Sequence, residues 1–138
     1  MLFRSPVQVT IDASAAAGGV AYPRVLVIAE EQGEIPIVLR LVSGDASTVV
    51  AGAIEVFAAQ AAKVKLLIDE RWGAQTRDFT WIRARLDRDA DVQVASIAMG
   101  GLLVKQTIEV LMEGEGASSG IRAVALGDGE QQIGRAHV

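Results

Sequence analysis

Apolar residues recur at every second position along most of the chain. Val7, Val9 and Ile11 alternate with polar neighbours, and Ile35, Ile37, Leu39 and Leu41 alternate across Pro36, Val38, Arg40 and Val42. The same phase returns at Val64, Leu66, Ile68, at Thr80, Ile82, Ala84, Leu86, and at Val92, Val94. A period of two places alternate side chains on opposite faces of a strand. Val25-Leu-Val-Ile-Ala29 is continuously apolar and predicts a strand buried on both faces. Ala13 to Gly19 reads as a loop of small residues. Pro36 suits the start of its strand if its position needs no N–H donor. In Ala51 to Ala62, Ile54, Phe57 and Ala61 also fit helical spacing, but Val49-Val50 and Ile54-Glu-Val-Phe57 favour a strand.

A spaced repeat orders these strands. A small residue, a polar residue and an aliphatic one recur at Gly33-Glu-Ile35, Ala62-Lys-Val64 and Ala90-Asp-Val92, with a looser relative at Ala117, at offsets of 29, 28 and 27. Each interval holds two strand-like runs punctuated by Gly or Asp, as at Gly44-Asp45, Gly73 and Gly100-Gly101. Such coils bury their apolar faces against the coils above and below. The expected fold is therefore all-β, a right-handed parallel β-helix. A β-sandwich is the alternative, although its turns fall at shorter spacing, about 8–12 residues.

With 138 residues, one core is enough, and 51% hydrophobic against 4% aromatic residues makes that core aliphatic. A net charge of -4 with interspersed signs supplies no field for a polyanion, so nucleic acid is not an expected partner. No apolar stretch is long enough to span a bilayer, and no basic start precedes an apolar signal core, so a soluble cytoplasmic protein is expected. The chain has no cysteine, which removes disulfides, thiolate metal ligands and sulfur nucleophiles.

The two ends read differently from the rest. Ile133-Gly-Arg-Ala-His-Val138 translates the sequencing adapter ATC GGA AGA GCA CAC GTC, and Met1-Leu-Phe-Arg-Ser5 matches its opposite strand, GTG CTC TTC CGA TCT. Residues 1–5 and 133–138 are accordingly expected to be non-native tails, leaving 6–132 as the natural segment. His137, the single histidine, then falls in a tail.

Candidate chemistry is sparse. Gly114-Glu-Gly-Ala-Ser-Ser-Gly120 lacks both the Lys-Ser/Thr ending of a phosphate loop and G-x-G-x-x-G spacing, and reads as a turn. Gly127-Asp-Gly129 reads the same way. Asp69, Glu70, Asp87, Asp89 and Asp91 could pair for glycosidic acid/base work or bind calcium. Arg71, Arg83, Arg85 and Arg88 lie among them, and the mixture is expected to be a solvated, ion-paired face. Ser43, Ser47 and Ser96 have no natural histidine to act as base. Trp72 and Trp81 suit packing better than a groove. No catalytic, cofactor-binding or metal-ligating residue is assigned, and no enzymatic activity is expected.

Four ordered blocks carry a family resemblance: Pro23-Arg-Val-Leu-Val-Ile-Ala-Glu-Glu31 with Leu41-Val-Ser-Gly-Asp45; Glu70-Arg-Trp-Gly73 with Arg83-Ala-Arg-Leu-Asp-Arg-Asp-Ala90; Gly100-Gly-Leu102 with Glu109-Val-Leu-Met-Glu-Gly-Glu-Gly-Ala117; and Asp128-Gly129 with Gln131. Together they resemble the SufB/SufD family of iron–sulfur cluster assembly scaffolds, closer to SufD. The resemblance implies a parallel β-helix core working with SufB-like and SufC-like proteins, the latter supplying ATP hydrolysis. The family's cysteine and histidine cluster positions and its ATPase-docking helices would lie further along. Gln132 stands where the family often has histidine, so no site residue and no cofactor transfers to this piece of chain. A carbohydrate-active β-helix and a purely structural solenoid are the competing readings. An uncapped last coil at Ile121 to Leu126 is expected to favour self-association.

Overall fold

The computed structural model describes residues 5–137. Eleven strands run through the described residues: β1 (Val7–Asp12), β2 (Val20–Ala21), β3 (Arg24–Ala29), β4 (Glu34–Val42), β5 (Thr48–Ala58), β6 (Lys63–Trp72), β7 (Thr76–Leu86), β8 (Asp91–Gly100), β9 (Leu103–Met112), β10 (Ser118–Leu126) and β11 (Gln132–His137). One turn of 3-10 helix, Ser14–Ala16, follows β1. Sheet A is ordered β1-β4-β6-β8-β10, and sheet B β11-β9-β7-β5-β2, with β3 also on β5. Every strand pairing is parallel, so the chain winds from one sheet to the other as a solenoid of about five coils. The expected parallel solenoid is the fold, and the β-sandwich alternative falls because no pairing among the described residues is antiparallel. The Ala-rich 51–62 segment is mostly strand β5, because its β-branched and aromatic positions alternate against neighbouring coils.

The sequence repeat is the register of sheet A. Glu34 sits beside Lys63, Lys63 beside Asp91, and Asp91 beside Ser118. Immediately before each of these residues lies a turn from sheet B to sheet A, closed by Gly33 N–H to Glu30 C=O at 2.8 Å, Ala62 to Ala59 at 3.0 Å, Ala90 to Asp87 at 3.1 Å and Ala117 to Gly114 at 3.4 Å. The third residue of each turn is left-handed: Gln32 (φ 59°), Ala61 (φ 58°), Asp89 (φ 56°) and Gly116 (φ 74°). Their amides carry the ladder through the corner, as Gln32 N–H donates to Gln60 C=O, Ala61 to Arg88 and Asp89 to Glu115, each at 2.9 Å. Strain tolerated by three non-glycine residues thus keeps backbone groups satisfied between coils.

Inside, aliphatic side chains stack in columns. Ile54, Ile82 and Ile108 are in register and essentially buried, as are Leu66 and Val94 on the facing sheet. Each such side chain contributes about 2–3 kcal/mol of burial. The outward positions carry ion pairs between neighbouring coils. Arg83 meets Glu109 at 2.7 Å and Arg85 meets Glu113 at 2.9 Å.

The tail residues are partly built into this architecture. β11 pairs with β9 from Gln132↔Leu103 to His137↔Ile108, and Ile133 packs against the core. Residues 1–4 and 138 lie outside the described residues.

Candidate functional site

The solenoid interior is apolar near the B-to-A turns and polar near the A-to-B turns. At the polar end, β6 places Glu70 and Trp72 inward and β7 places Thr76, Asp78 and Thr80 inward. The adjoining coil adds Ser96 from β8 and Gln106 from β9. All seven are at most 4% exposed. The register explains the grouping, since Thr80 lies beside Gln106 and beside Gly52, while Ser96 lies beside Ile68. A Cβ on Gly52 would come within 2.9 Å of Thr80 Oγ1, so glycine there leaves room for the threonine.

Hydrogen bonds satisfy part of this cluster. The Thr80 hydroxyl donates to Asp78 Oδ1 at 2.5 Å, and the Ser96 hydroxyl donates to Gln106 Oε1 at 3.1 Å. At the corner, Ser43 and Thr76 share a hydroxyl bond of 2.6 Å, and Gly73 N–H donates to Ser43 Oγ at 2.9 Å. Asp78 Oδ2, Trp72 Nε1 and Gln106 Nε2 have no partner among the described residues. Burial pushes the Asp78 carboxyl up to about 6, while the Thr80 hydroxyl and then the Trp72 indole, turned toward the carboxylate without closing a hydrogen bond, pull it back toward the charged form. Asp78 can therefore hold or release a proton near neutral pH inside the buried cluster.

The acidic residues singled out from the sequence separate into different environments. Asp69 projects from sheet A between Arg40 at 3.1 Å and Arg71 at 3.2 Å. Glu70 does not belong to a solvated face: it follows Ile68 in the inward phase and is fully buried. Asp87 caps the Arg88 amide at 2.7 Å, Asp89 meets the Arg88 side chain at 3.4 Å, and Asp91 accepts from Gln93 and Ser118. Arg83 and Arg85 pair with Glu109 and Glu113 rather than with these acids. Of these acids, Asp69 and Asp89 are held by arginine side chains, Asp87 and Asp91 by an amide, an amide side chain and a hydroxyl, and Glu70 is enclosed in the core, so they are dispersed over different environments.

Other expectations also divide. Ser96 is interior and Ser43 braces a turn, whereas Ser47 is an exposed loop residue. Gly114 and Gly116 form the turn before β10, where a Cβ on Gly114 would run into the Arg88 backbone. Trp72 is core, but Trp81 is 48% exposed on the outer face of sheet B. Asp78 and Gln106 were not singled out. The signal for Asp78 was its phase, two residues before Thr80 in the run that continues through Ile82 and Leu86.

Residues holding an iron–sulfur cluster are ordinarily thiolates, sometimes joined by imidazoles. The donor set does not fit one: there is no cysteine, and no group of three potential ligands occurs among the described residues. No helix among them is long and apolar enough to cross a membrane.

Residues 10–137 match the family described as SUF system FeS cluster assembly, SufBD core domain. Comparisons with curated proteins and with solved structures returned no match.

Proposed function

The chain belongs to the SufBD core family of the SUF iron–sulfur cluster assembly system, and from that premise we propose that it is a non-catalytic scaffold segment of that machinery, nearer the SufD branch. The observation that carries this reading is the family match along 10–137 in a chain without a single cysteine. A core lacking thiolates contributes shape and contacts rather than cluster ligands, so the cluster is cargo held by a partner. A SufB-like protein would supply ligands, a SufC-like ATPase would supply hydrolysis, and the assembly would work in the cytoplasm. The absence of a phosphate-loop motif agrees with hydrolysis residing elsewhere.

Co-expression with SufB-like and SufC-like proteins, followed by affinity purification under anaerobic conditions, tests the proposal. The expected result is a complex containing this chain whose iron and sulfide content tracks the SufB-like partner. A stable stoichiometric cluster or ATP turnover on the purified chain alone would overturn it, as would failure to co-purify with either partner.

A further inference from the structure

Most charges on the two sheet faces are neutralised within the molecule. On sheet A, Arg40 and Arg71 share Asp69, and Lys63 meets Glu34; on sheet B, Arg24 meets Glu55, Arg83 meets Glu109 and Arg85 meets Glu113. Two exposed cations on sheet A, Lys65 and Arg122, have no anionic partner among the described residues. They border a groove of about 350 Å³ floored by half-buried Val38, Leu67 and Ala95.

A cluster of carboxylates without a cationic partner among the described residues lies across the solenoid. At the B-to-A end of sheet B, a groove of about 560 Å³ has Ile28 (63% exposed) and Phe57 (37%) in its wall. Glu30, Glu31 and Asp87 stand on its rim without a cationic partner among the described residues. The one cation there, Arg85, is engaged by both oxygens of Glu113 and lies 5.9 Å over the Phe57 ring. Two further unmatched cations, Arg77 and Lys105, sit at the opposite end of sheet B and do not offset this rim.

We infer that the occupant of the acidic groove is the cationic face of a second copy of this chain, with Lys65 and Arg122 meeting Glu30, Glu31 and Asp87. Apolar surface on both sides supplies the burial, and opposite charge supplies register and on-rate. The contact joins two different faces on opposite sides of the molecule. It is therefore heterologous, and growth continues until it closes into a ring or extends as a chain.

Val124 and Leu126 belong to the same cationic face. They lie in register with Ile97 and Met99 on the outer face of β10, the last strand of sheet A, so on the open last coil they point outward rather than along its uncovered inward positions. The inward positions of β10 are Ile121, Ala123 and Ala125.

Sedimentation velocity on the full chain from about 10 to about 300 µM, the range of weak association, tests the contact. The wild type is expected to gain sedimentation coefficient with concentration, and to lose that gain in about 0.5 M salt, where screening is short-ranged. Lys65→Glu with Arg122→Glu, and separately Glu30→Lys with Glu31→Lys, should each shift the association midpoint upward at least about tenfold. An equimolar mixture of the two double variants should associate again, because the acidic sheet A face of one now meets the basic groove of the other. A wild type monomeric throughout the range overturns the inference, as does association that ignores both reversals or a mixture that fails to recover it.

Discussion

The Thr80 hydroxyl donates to Asp78 Oδ1 at 2.5 Å, two residues along β7, while Asp78 Oδ2 has no partner among the described residues. The carboxyl is fully buried and its pKa is raised from 3.8 to about 6. A raised folded-state value means that the protonated form is favoured in the fold. The associated stability is present below pH 3.8 and is lost as pH rises through about 6. Asp78→Asn keeps an acceptor for Thr80 and removes the charge. It is expected to stabilise the protein at about pH 7.5 by up to about 3 kcal/mol, and to have little effect at about pH 3.5. Urea midpoints of wild type and variant at both pH values check this, with other carboxylates cancelling in the difference. Equal destabilisation at both values would rule it out.

Ala61 holds φ 58° in a column whose last member is Gly116. Ala→Gly ordinarily weakens a protein through chain entropy, but a left-handed alanine costs about 1–2 kcal/mol, which glycine avoids. Ala61→Gly should therefore leave stability unchanged or raise it by about 1 kcal/mol. A loss above about 0.5 kcal/mol on chemical denaturation would contradict the observed turn geometry.

Gly114 stacks directly on the turn at Arg88, and an added Cβ would collide with backbone. Gly114→Ala is expected to cost at least about 2 kcal/mol, since backbone must move to admit it. Gly134, with nothing within 4 Å of an added Cβ, is the control, and Gly134→Ala should fall within about 0.5 kcal/mol of wild type. Similar melting of the two variants would show that the turns do not stack closely.

Removing residues 133–138 deletes most of β11, its ladder to β9 and the Ile133 contact with the core. The shortened chain should melt several degrees lower, as a loss of about 1 kcal/mol or more implies for a domain of this size. Melting unchanged within about 1 °C would mean that the strand adds nothing, whatever its coding origin.

The sequence by itself determined most of the strands, their phase and the coil length, but not β2, β9 or the tail strand β11. Alternation set which side chains face inward, and the offsets 29, 28 and 27 from Gly33 to Ala117 are the pairings Glu34–Lys63–Asp91–Ser118 in sheet A. These features are legible because a parallel solenoid repeats one local solution, so register and sequence period are the same quantity. Only the tertiary structure decided which polar residues the coils trap. Glu70 and Asp78 look like ordinary surface acids beside Arg71 and Arg77 until neighbouring coils cover the inward phase. Arg83 and Arg85 find Glu109 and Glu113, 26 and 28 residues away, because stacking brings distant residues side by side. Charge pairing and the neighbours that enclose an inward acid depend on what lies one coil above or below, and alternation within a strand gives the face of a residue but not those neighbours.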